Sequence, residues 1–357
     1  MGAKLVDLPS ISVIVTAYNR RRYLPFALRS LEAQTLPRDK FEVIVVKNFD
    51  DKESDSVISR NGWKEVYNDD SYQGRMVLAG LEESKGEVIT FLDDDDMYAD
   101  NRLEEAYNIF NGYRDLVYFH NSQEFIDEDG RRLENHLRPS KNLVRGDDIV
   151  FNPKALQGVS KRHGMSIVDL ILKYVRVRAD FNSSSIAVRR RIVESHAQQL
   201  KRLPISTDSF VFAASLRAGG LFYFTDKRLT LYRVHGANVS VSSPGEGSEA
   251  YMMQAKYLLQ LNEAYNIIGS ELLEGGLNVY MCSRLLHMSE FWLIPLDKLK
   301  ELPSELRPKP SDLARALKCV AEGLSRRSTL PLVLTSLVLG HAKPLKGHIY
   351  RLLGRLI

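Results

Sequence analysis

The sequence has few cysteines, and its first residues do not form an apolar run. Its 357 residues include two cysteines, Cys282 and Cys319, which lie far apart and form no metal-binding or redox motif. We therefore expect a reducing compartment. Residues 1–7 lack both the apolar core of a signal peptide and the Ser or Thr of a myristoylation site. These absences predict a cytoplasmic protein.

Two common nucleotide-binding motifs are also missing. Neither Gly-x-Gly-x-x-Gly nor Gly-x-x-x-x-Gly-Lys-Ser/Thr follows the first apolar segment, Ile11 to Thr16. This excludes the usual dinucleotide-binding enzymes and the P-loop NTPases, whose glycine-rich loops hold phosphates at that position. Any nucleotide phosphates are therefore held in another way.

Long apolar runs are scarce as well. The apolar core near the carboxyl terminus, within residues 330–340, has about eleven residues, whereas a membrane-spanning helix needs about twenty. Residues 297–357 carry twelve Lys or Arg against five Asp or Glu. This composition suits a basic tail, residues 325–357, that lies on the cytoplasmic face of a membrane or packs on a partner. Packing on the protein core is an equal alternative.

What the sequence does contain is typical of a globular α/β protein. Hydrophobic residues make up 44% and charged residues 26%, which leaves room for two or three packed units. Apolar, β-branched runs at Ile11–Thr16 and Phe41–Val46 predict strands buried on both faces of a parallel sheet. Leu24, Ala27, Leu28 and Leu31 predict a helix between them.

Four consecutive carboxylates, Asp93 to Asp96, follow a third predicted strand, Glu87 to Leu92. Such like charges repel one another unless a cation or polar partners offset them. If the strand continued, Asp93 and Asp95 would share one face and Asp94 and Asp96 the other. The spacing suits a site for Mg²⁺ or Mn²⁺, which prefer oxygen ligands. A solvated acidic turn that caps the next helix is an equal alternative for these four residues alone.

Four motifs in order resemble the family 2 glycosyltransferases of GT-A fold. The resemblance extends over about residues 8–240, and its motifs are listed here with their ranges: Ser12–Asn19, Leu28–Thr35, Glu42–Val46 and Gly86–Asp96. It implies a Rossmann-like nucleotide-binding sheet fused to an acceptor-side subdomain, with an appended C-terminal α-helical region. The corresponding ranges are a domain at 1–243, with halves at about 8–100 and 101–243, and a helical region at 244–357.

The resemblance implies a site for a nucleotide-sugar donor and a divalent metal, Mg²⁺ or Mn²⁺. The implied donor-binding residues are Thr16, Ala17, Tyr18, Asn48, Arg75, Asp93 and Asp94. The implied metal ligands are Asp93, Asp95 and His235, the last within a Tyr-Arg-x-His-Gly-x-Asn segment. One departure concerns the base. Where the family usually has Asp-Asp-Gly-Ser, this chain has Lys47-Asn48-Phe49-Asp50, so the identity of the base stays open.

A later segment resembles the family's Glu-Asp motif at the start of a helix, with Thr207 in place of Glu and Asp208 at the catalytic position. By itself Asp208 would be a helix cap. The resemblance implies that it is the general base. The implied acceptor-side residues are Asn182, Ser183, Thr207 and Arg233.

The resemblance implies a metal-dependent, inverting hexosyltransferase that acts on a glycan or a lipid-linked acceptor, and we expect no nucleic-acid partner. A sugar-phosphate nucleotidyltransferase is one alternative, although Ala17 to Arg20 is not the glycine-rich loop expected of it. An inactive nucleotide- or sugar-binding scaffold is another, because Lys47 and Asn48 depart from the family pattern.

Overall fold

The computed structural model describes residues 10–133, 148–163, 167–171, 179–235, 248–273 and 300–307. The strands within these ranges are β1 (Ile11–Ala17), β2 (Phe41–Lys47), β3 (Lys64–Tyr67), β4 (Val88–Asp93), β5 (Met97–Tyr98), β6 (Leu116–Ile126), β7 (Ile149–Phe151), β8 (Ile186–Arg189) and β9 (Leu221–Arg233). The helices are α1 (Leu24–Glu32), α2 (Lys52–Arg60), α3 (Gln73–Glu83), α4 (Arg102–Gly112), α5 (Gln157–His163), α6 (Ile167–Leu170), α7 (Arg190–Glu194), α8 (Ala197–Leu200), α9 (Thr207–Ala218) and α10 (Ser248–Ile267).

The first half of the sheet is parallel, in the order β3-β2-β1-β4. The two central strands are buried on both faces, as their continuous apolar runs predict. Val13 and Val15 belong to the cluster that includes α1, α2 and α4. On the other face α3 lies close to the sheet at Gly80, where an added Cβ would stand 2.6 Å from Ile14 Cγ2. The predicted α/β fold is confirmed.

The second half of the sheet is mixed. Strand β8 runs antiparallel to both β4 and β6, β6 runs parallel to β9, and β9 also pairs with β5 and β7. The apolar run Leu116–Phe119 predicts a short strand, yet β6 continues to Ile126 and is buried throughout. Its second part, residues 120–124, is polar, so an apolar pattern could not reveal it. Pairing with neighbours supplies the partners that buried polar groups need.

The chain divides into two compact units, residues 1–154 with 176–241 and residues 155–175 with 242–357. In the described part of the second unit, Ala255 and Leu258 of α10 form a cluster with Leu302. Helical periodicity in the sequence predicts helices at 250–268, 272–293 and 311–324. Helix α10 confirms the first of them. Nearly all of the second, the whole of the third and the basic tail lie outside the described residues. Within the described ranges no helix is long and apolar enough to cross a membrane.

Candidate active site

The candidate site lies at the carboxyl ends of β1 and β4, which are neighbours in the sheet. Thr16 and Asp93 are opposite each other in the register. The next residue, Asp94, donates its N–H to the carbonyl of Thr16 at 3.2 Å. Ligands of open α/β sheets bind beyond these strand ends. The structure therefore brings together the donor residues predicted on the two strands.

The four carboxylates do not alternate as predicted. Strand β4 ends at Asp93, and the chain turns there, with the N–H of Asp96 donating to the carbonyl of Asp93 at 3.1 Å. The pleat that would place alternate residues on opposite faces therefore stops after the first carboxylate. As a result, Asp94 and Asp95 both contact the same cation, Arg20.

Arg20 is the site residue that the sequence did not single out. Its guanidinium forms two hydrogen bonds with Asp94, from Nε at 3.2 Å and from Nη2. It also donates from Nη1 to Asp95 at 2.6 Å. Burial lowers its pKa, but the charges of the two carboxylates outweigh burial and raise it above the ordinary value. A signal was present, because four carboxylates need counter-charge and Arg20 follows the adjacent strand by three residues.

His235 lies on the other side of Asp95. Its Nε2 and Asp95 Oδ2 share a hydrogen bond at 3.0 Å, and its ring stands 4.8 Å from that of Tyr23. Burial raises the pKa of Asp95, but the hydrogen bond from His235 and the charge of Arg20 hold it below the ordinary range. His235, which is predicted as a metal ligand, is thus a hydrogen-bond partner of Asp95, another predicted ligand.

Asp93 and Asp95 carry the oxygen ligands that a hard divalent cation prefers, and Oδ2 of Asp95 is also bonded by Arg20 and His235. Within the described ranges, no group of three or more His, Cys, Asp or Glu side chains is placed to hold a metal ion. Mg²⁺ commonly needs only one or two protein carboxylates, with substrate phosphates and water completing its shell. Burial and the charge of Asp95 raise the pKa of Asp93 to about 6, so negative charge here is only partly offset. A bound cation would relieve that excess.

The segment Asn182–Ser184 ties the acidic turn to the predicted base. Ser183 donates to Asp93 Oδ2 at 2.6 Å. Asn182 donates from Nδ2 to Asp96 at 2.9 Å and from its main-chain N–H to Asp208 at 3.0 Å. Its φ of 70° lies in the left-handed region, which costs about 1–3 kcal/mol for a residue other than glycine. The surrounding hydrogen bonds hold it there.

Asp208 lies in the first turn of α9, where its carboxylate accepts the N–H groups of Ser209 at 2.8 Å and of Asn182 at 3.0 Å. Burial is the main cause that raises its pKa to about 7, and the negative charge of Asp180 adds to it. Asp180 in turn accepts the hydroxyl of Ser209 at 3.0 Å. A carboxylate with a pKa near the working pH is suited to general-base chemistry.

The other acceptor-side predictions fall in different places. Thr207 begins α9 and donates to Gln73 at 3.4 Å. Arg233 is fully buried, and its guanidinium donates to the main-chain carbonyls of Asp95 and Glu128, each at 2.9 Å. Arg233 therefore stabilises the acidic turn through the main chain of Asp95.

Three of the remaining donor predictions, Ala17, Tyr18 and Asn48, lie at or beside the loop after β1, whereas Arg75 lies on α3. Ala17 ends that strand and is buried, whereas Tyr18 is 38% exposed and offers a free aromatic face. Arg75 donates to Asp70 at 2.7 Å and to the carbonyl of Lys201 at 2.9 Å. The carboxamide of Asn48 binds Asn19 twice, accepting its N–H at 2.8 Å and donating to its side chain at 2.9 Å. Asn48 therefore orients the loop that carries Tyr18.

Lys47, which departs from the family pattern, is fully buried at the end of β2. Its Nζ lies 2.7 Å from Glu65 and 3.0 Å from Asp55, and donates to the carbonyl of Phe49 at 2.8 Å. Burial alone would lower its pKa, but the two carboxylates raise it above the ordinary value. The ammonium group of Lys47, at the end of β2, thus links α2 and β3 through Asp55 and Glu65.

We expect Lys47→Gln to lower the free energy of unfolding by about 1–3 kcal/mol, because it leaves two partly buried carboxylates without their cation. Lys64→Gln is the matched control, since Lys64 pairs with Glu83 at 2.8 Å in solvent and should cost less than about 0.5 kcal/mol. Urea denaturation of both variants measures the difference. Equal stability of the two would show that the buried ion pairs are not structural.

Comparison with known proteins gives one family. Residues 12–164 match the family described as Glycosyl transferase family 2. The chain is 26% identical over 254 residues to an uncharacterized glycosyltransferase of Nostoc sp., which covers 67% of this chain and 69% of that protein. It is 25% identical over 261 residues to an uncharacterized glycosyltransferase of Rickettsia felis, covering 71% of this chain. The match spans 39% of the Rickettsia protein.

A similar fold occurs in the crystal structure of residues 1–349 of S. aureus TarS in complex with UDP-GlcNAc. The TM-score is 0.50 at 14% sequence identity, and the alignment covers 87% of this chain and 89% of that one. At this level of identity the likeness concerns the fold.

Proposed function

We propose that this chain, whose residues 12–164 match the family described as Glycosyl transferase family 2, transfers a sugar from a nucleotide-sugar donor to a hydroxyl group of a glycan or lipid-linked acceptor, with inversion. The observation that carries the proposal is a connected set of hydrogen bonds. Asp208, whose pKa is about 7, is joined through Asn182 to Asp96 of the acidic turn. These hydrogen bonds hold Asp208 at a fixed distance from the acidic turn, Asp93 to Asp96. A single in-line displacement requires such a fixed distance between the base and the bound donor.

Each part of the site has a defined task in this reaction. The exposed face of Tyr18 stacks on the nucleotide base. Asp93 and Asp95 would hold a divalent metal ion, which when bound neutralises the charge of the leaving diphosphate. Arg20, positioned on Asp94 and Asp95, holds the carboxylates of the turn in place and presents a partly exposed cation to the same phosphates.

Asp208 carries the chemical step. Its carboxylate takes the proton of the acceptor hydroxyl while the hydroxyl oxygen attacks the anomeric carbon. The bond between that carbon and the diphosphate oxygen breaks, and its electron pair leaves with the nucleoside diphosphate. Attack from the face opposite the leaving group inverts the configuration of the sugar. Asp208 is left protonated and releases its proton to solvent before the next cycle.

The direct test uses the purified chain and a panel of nucleotide sugars. A donor at one hundred times its dissociation constant adds about 2.7 kcal/mol to the stability of the folded state, so its identity appears as a rise in Tm that requires metal. That donor is then assayed for transfer and for slow hydrolysis. Donor binding without either reaction would support an inactive scaffold. Release of pyrophosphate from a nucleoside triphosphate and a sugar phosphate would support a nucleotidyltransferase.

The proposal predicts a pH profile controlled by Asp208. Because the base must be ionised and its pKa is about 7, kcat/KM should rise about tenfold per pH unit below pH 7 and level off above it. Initial rates between pH 5 and 9 measure the profile. A level profile across pH 7 would assign proton removal to another group.

Asp180 provides an independent check on that assignment. Asp180→Asn removes a negative charge that raises the pKa of Asp208, so the rising limb of the profile should move to lower pH. Asparagine can still accept the hydrogen bond from Ser209. Asp129→Asn removes one exposed carboxylate from the turn after β6 and should leave the profile unchanged.

A further inference from the structure

A second charged cavity, of about 650 Å³, lies at the edge of the sheet opposite the candidate active site. Asp93 ends β4 at the active site, whereas Glu87 on the cavity wall comes just before the first residue of the same strand. The wall also includes the end of α4 and the junction of β8 with α7. Its charged residues are Arg114, Arg189, Arg190, Arg191, Glu87 and Glu194.

Two of the four arginines are held in place by neutral groups. Arg189 donates from Nε to the carbonyl of Leu116 at 3.2 Å and from Nη2 to that of Phe110 at 3.0 Å. Arg190 donates from Nε to the carbonyl of Gly86 at 2.7 Å. Main-chain carbonyls orient a guanidinium but do not cancel its charge. Both groups therefore face the cavity as fixed cations, and each side chain is 19% exposed.

The carboxylates of the wall balance this charge poorly. Glu87 stands 3.5 Å from Arg189 with its side chain 85% exposed, and Glu194 stands 3.3 Å from Arg190 with its side chain 52% exposed. Ion pairs this exposed are worth about 0–1 kcal/mol. Burial lowers the pKa of Arg189, the charge of Glu87 raises it and the charge of Arg191 lowers it. Arg189 and Arg191 therefore repel each other, and Glu87 offsets this repulsion only in part.

The other two arginines, Arg114 and Arg191, are exposed. Neither forms an ion pair within the part of the chain that the structure describes. Four arginines against two weakly held glutamates leave a surplus of two positive charges around one concave surface. A concave surface with charge of one sign concentrates anions of the opposite sign.

We propose that this cavity binds a phosphate-bearing anion that carries two or more negative charges, such as a diphosphate or the phosphate head group of a lipid. Guanidinium groups match phosphate oxygens in pairs, and two of the four are already fixed, so little conformational freedom is lost on binding. Phe110, the aromatic residue of the lining, is buried, and the guanidinium carbon of Arg189 lies 5.0 Å from the centre of its ring, so it offers little surface to a nucleotide base. The inference is independent of the proposed function, because no active-site residue lines the cavity.

The test compares the full-length chain with Arg114→Gln/Arg191→Gln, which neutralises the two exposed arginines. The control is Lys52→Gln/Lys201→Gln, which removes the same charge from exposed positions of the same unit. Calorimetry with inorganic pyrophosphate in EDTA measures binding without the metal-dependent donor clamp. We expect the arginine variant to bind at least about tenfold more weakly than the wild type and the control, with the difference reduced at high salt.

A second arm identifies the source of the phosphate. Co-sedimentation uses vesicles of phosphatidylcholine with and without phosphatidic acid. If the arginine variant loses binding to the acidic vesicles and pyrophosphate competes with them, the ligand is a lipid head group. If only pyrophosphate binding falls, the ligand is a soluble diphosphate. If the arginine variant and the control bind both probes equally, the inference is wrong.

Discussion

Asp208→Asn should lower kcat by at least about a hundredfold while it leaves donor affinity within a few-fold. A general base contributes a factor of about 10² to 10⁴, roughly 3 to 5 kcal/mol of barrier, and asparagine cannot accept the proton. Donor affinity should persist, because the carboxylate joins the acidic turn only indirectly, through Asn182. Single-turnover rates at pH 8 and donor calorimetry measure the two effects separately.

The same substitution should change Tm by only a few degrees. Replacing a buried carboxylate removes the cost of ionising it at pH 8, but the amide group can no longer accept both N–H groups that Asp208 accepts. These effects oppose each other, and 1 kcal/mol corresponds to about 2–4 °C in a domain of this size. Nearly unchanged turnover would show that Asp208 is only a helix cap. A large loss of stability would show that its role is structural.

Asp95→Asn should weaken donor binding by about 10- to 100-fold in Mg²⁺ or Mn²⁺, and should remove most of the dependence on metal. Asp95 and Asp93 offer the two carboxylates at the edge of the sheet that suit the cation. The substitution keeps an acceptor for His235, and Arg20 keeps its pair with Asp94, so the turn should stay folded. Calorimetry with the donor, in metal and in EDTA, measures both effects.

EDTA should bring the wild type close to the affinity of the Asp95→Asn variant. Glu82→Gln, on the exposed face of α3, removes one carboxylate away from the site and serves as the control. If the wild type binds donor equally well in EDTA and in metal, the clamp does not depend on a cation. Arg20 would then be the main positive charge that faces the diphosphate.

Arg20 and the metal would share the carboxylates of one turn. Arg20 bonds Asp94 at both oxygens but Asp95 only at Oδ2, an atom it shares with His235. For Asp93, burial and the charge of Asp95 outweigh the hydrogen bond from Ser183 and the charge of Arg20, and its pKa is raised to about 6. Under the proposed function, Arg20 would supply fixed counter-charge to Asp94 and Asp95, and the partly offset charge of Asp93 would attract an exchangeable cation.

The sequence by itself determined the α/β half and the candidate base. Strands β1, β2 and β4 are continuous apolar runs, and such runs indicate strands because both faces of a central parallel strand are buried. Strand order places their carboxyl ends at one edge, so the position of Asp93 followed from local pattern alone. Asp208 followed from its place in a helix start and from the order of motifs.

Only the tertiary structure decided which charges meet. Arg20 and Asp94 are 74 residues apart, and Asp95 and His235 are 140 apart, so no local pattern could pair them. The same holds for Lys47, whose partners lie on α2 and β3, and for Arg233, whose guanidinium braces the acidic turn. The local sequence does not show which partner a polar side chain will have. Burial removes water from the side chain, which is then stabilised by whichever polar or oppositely charged group the fold places beside it.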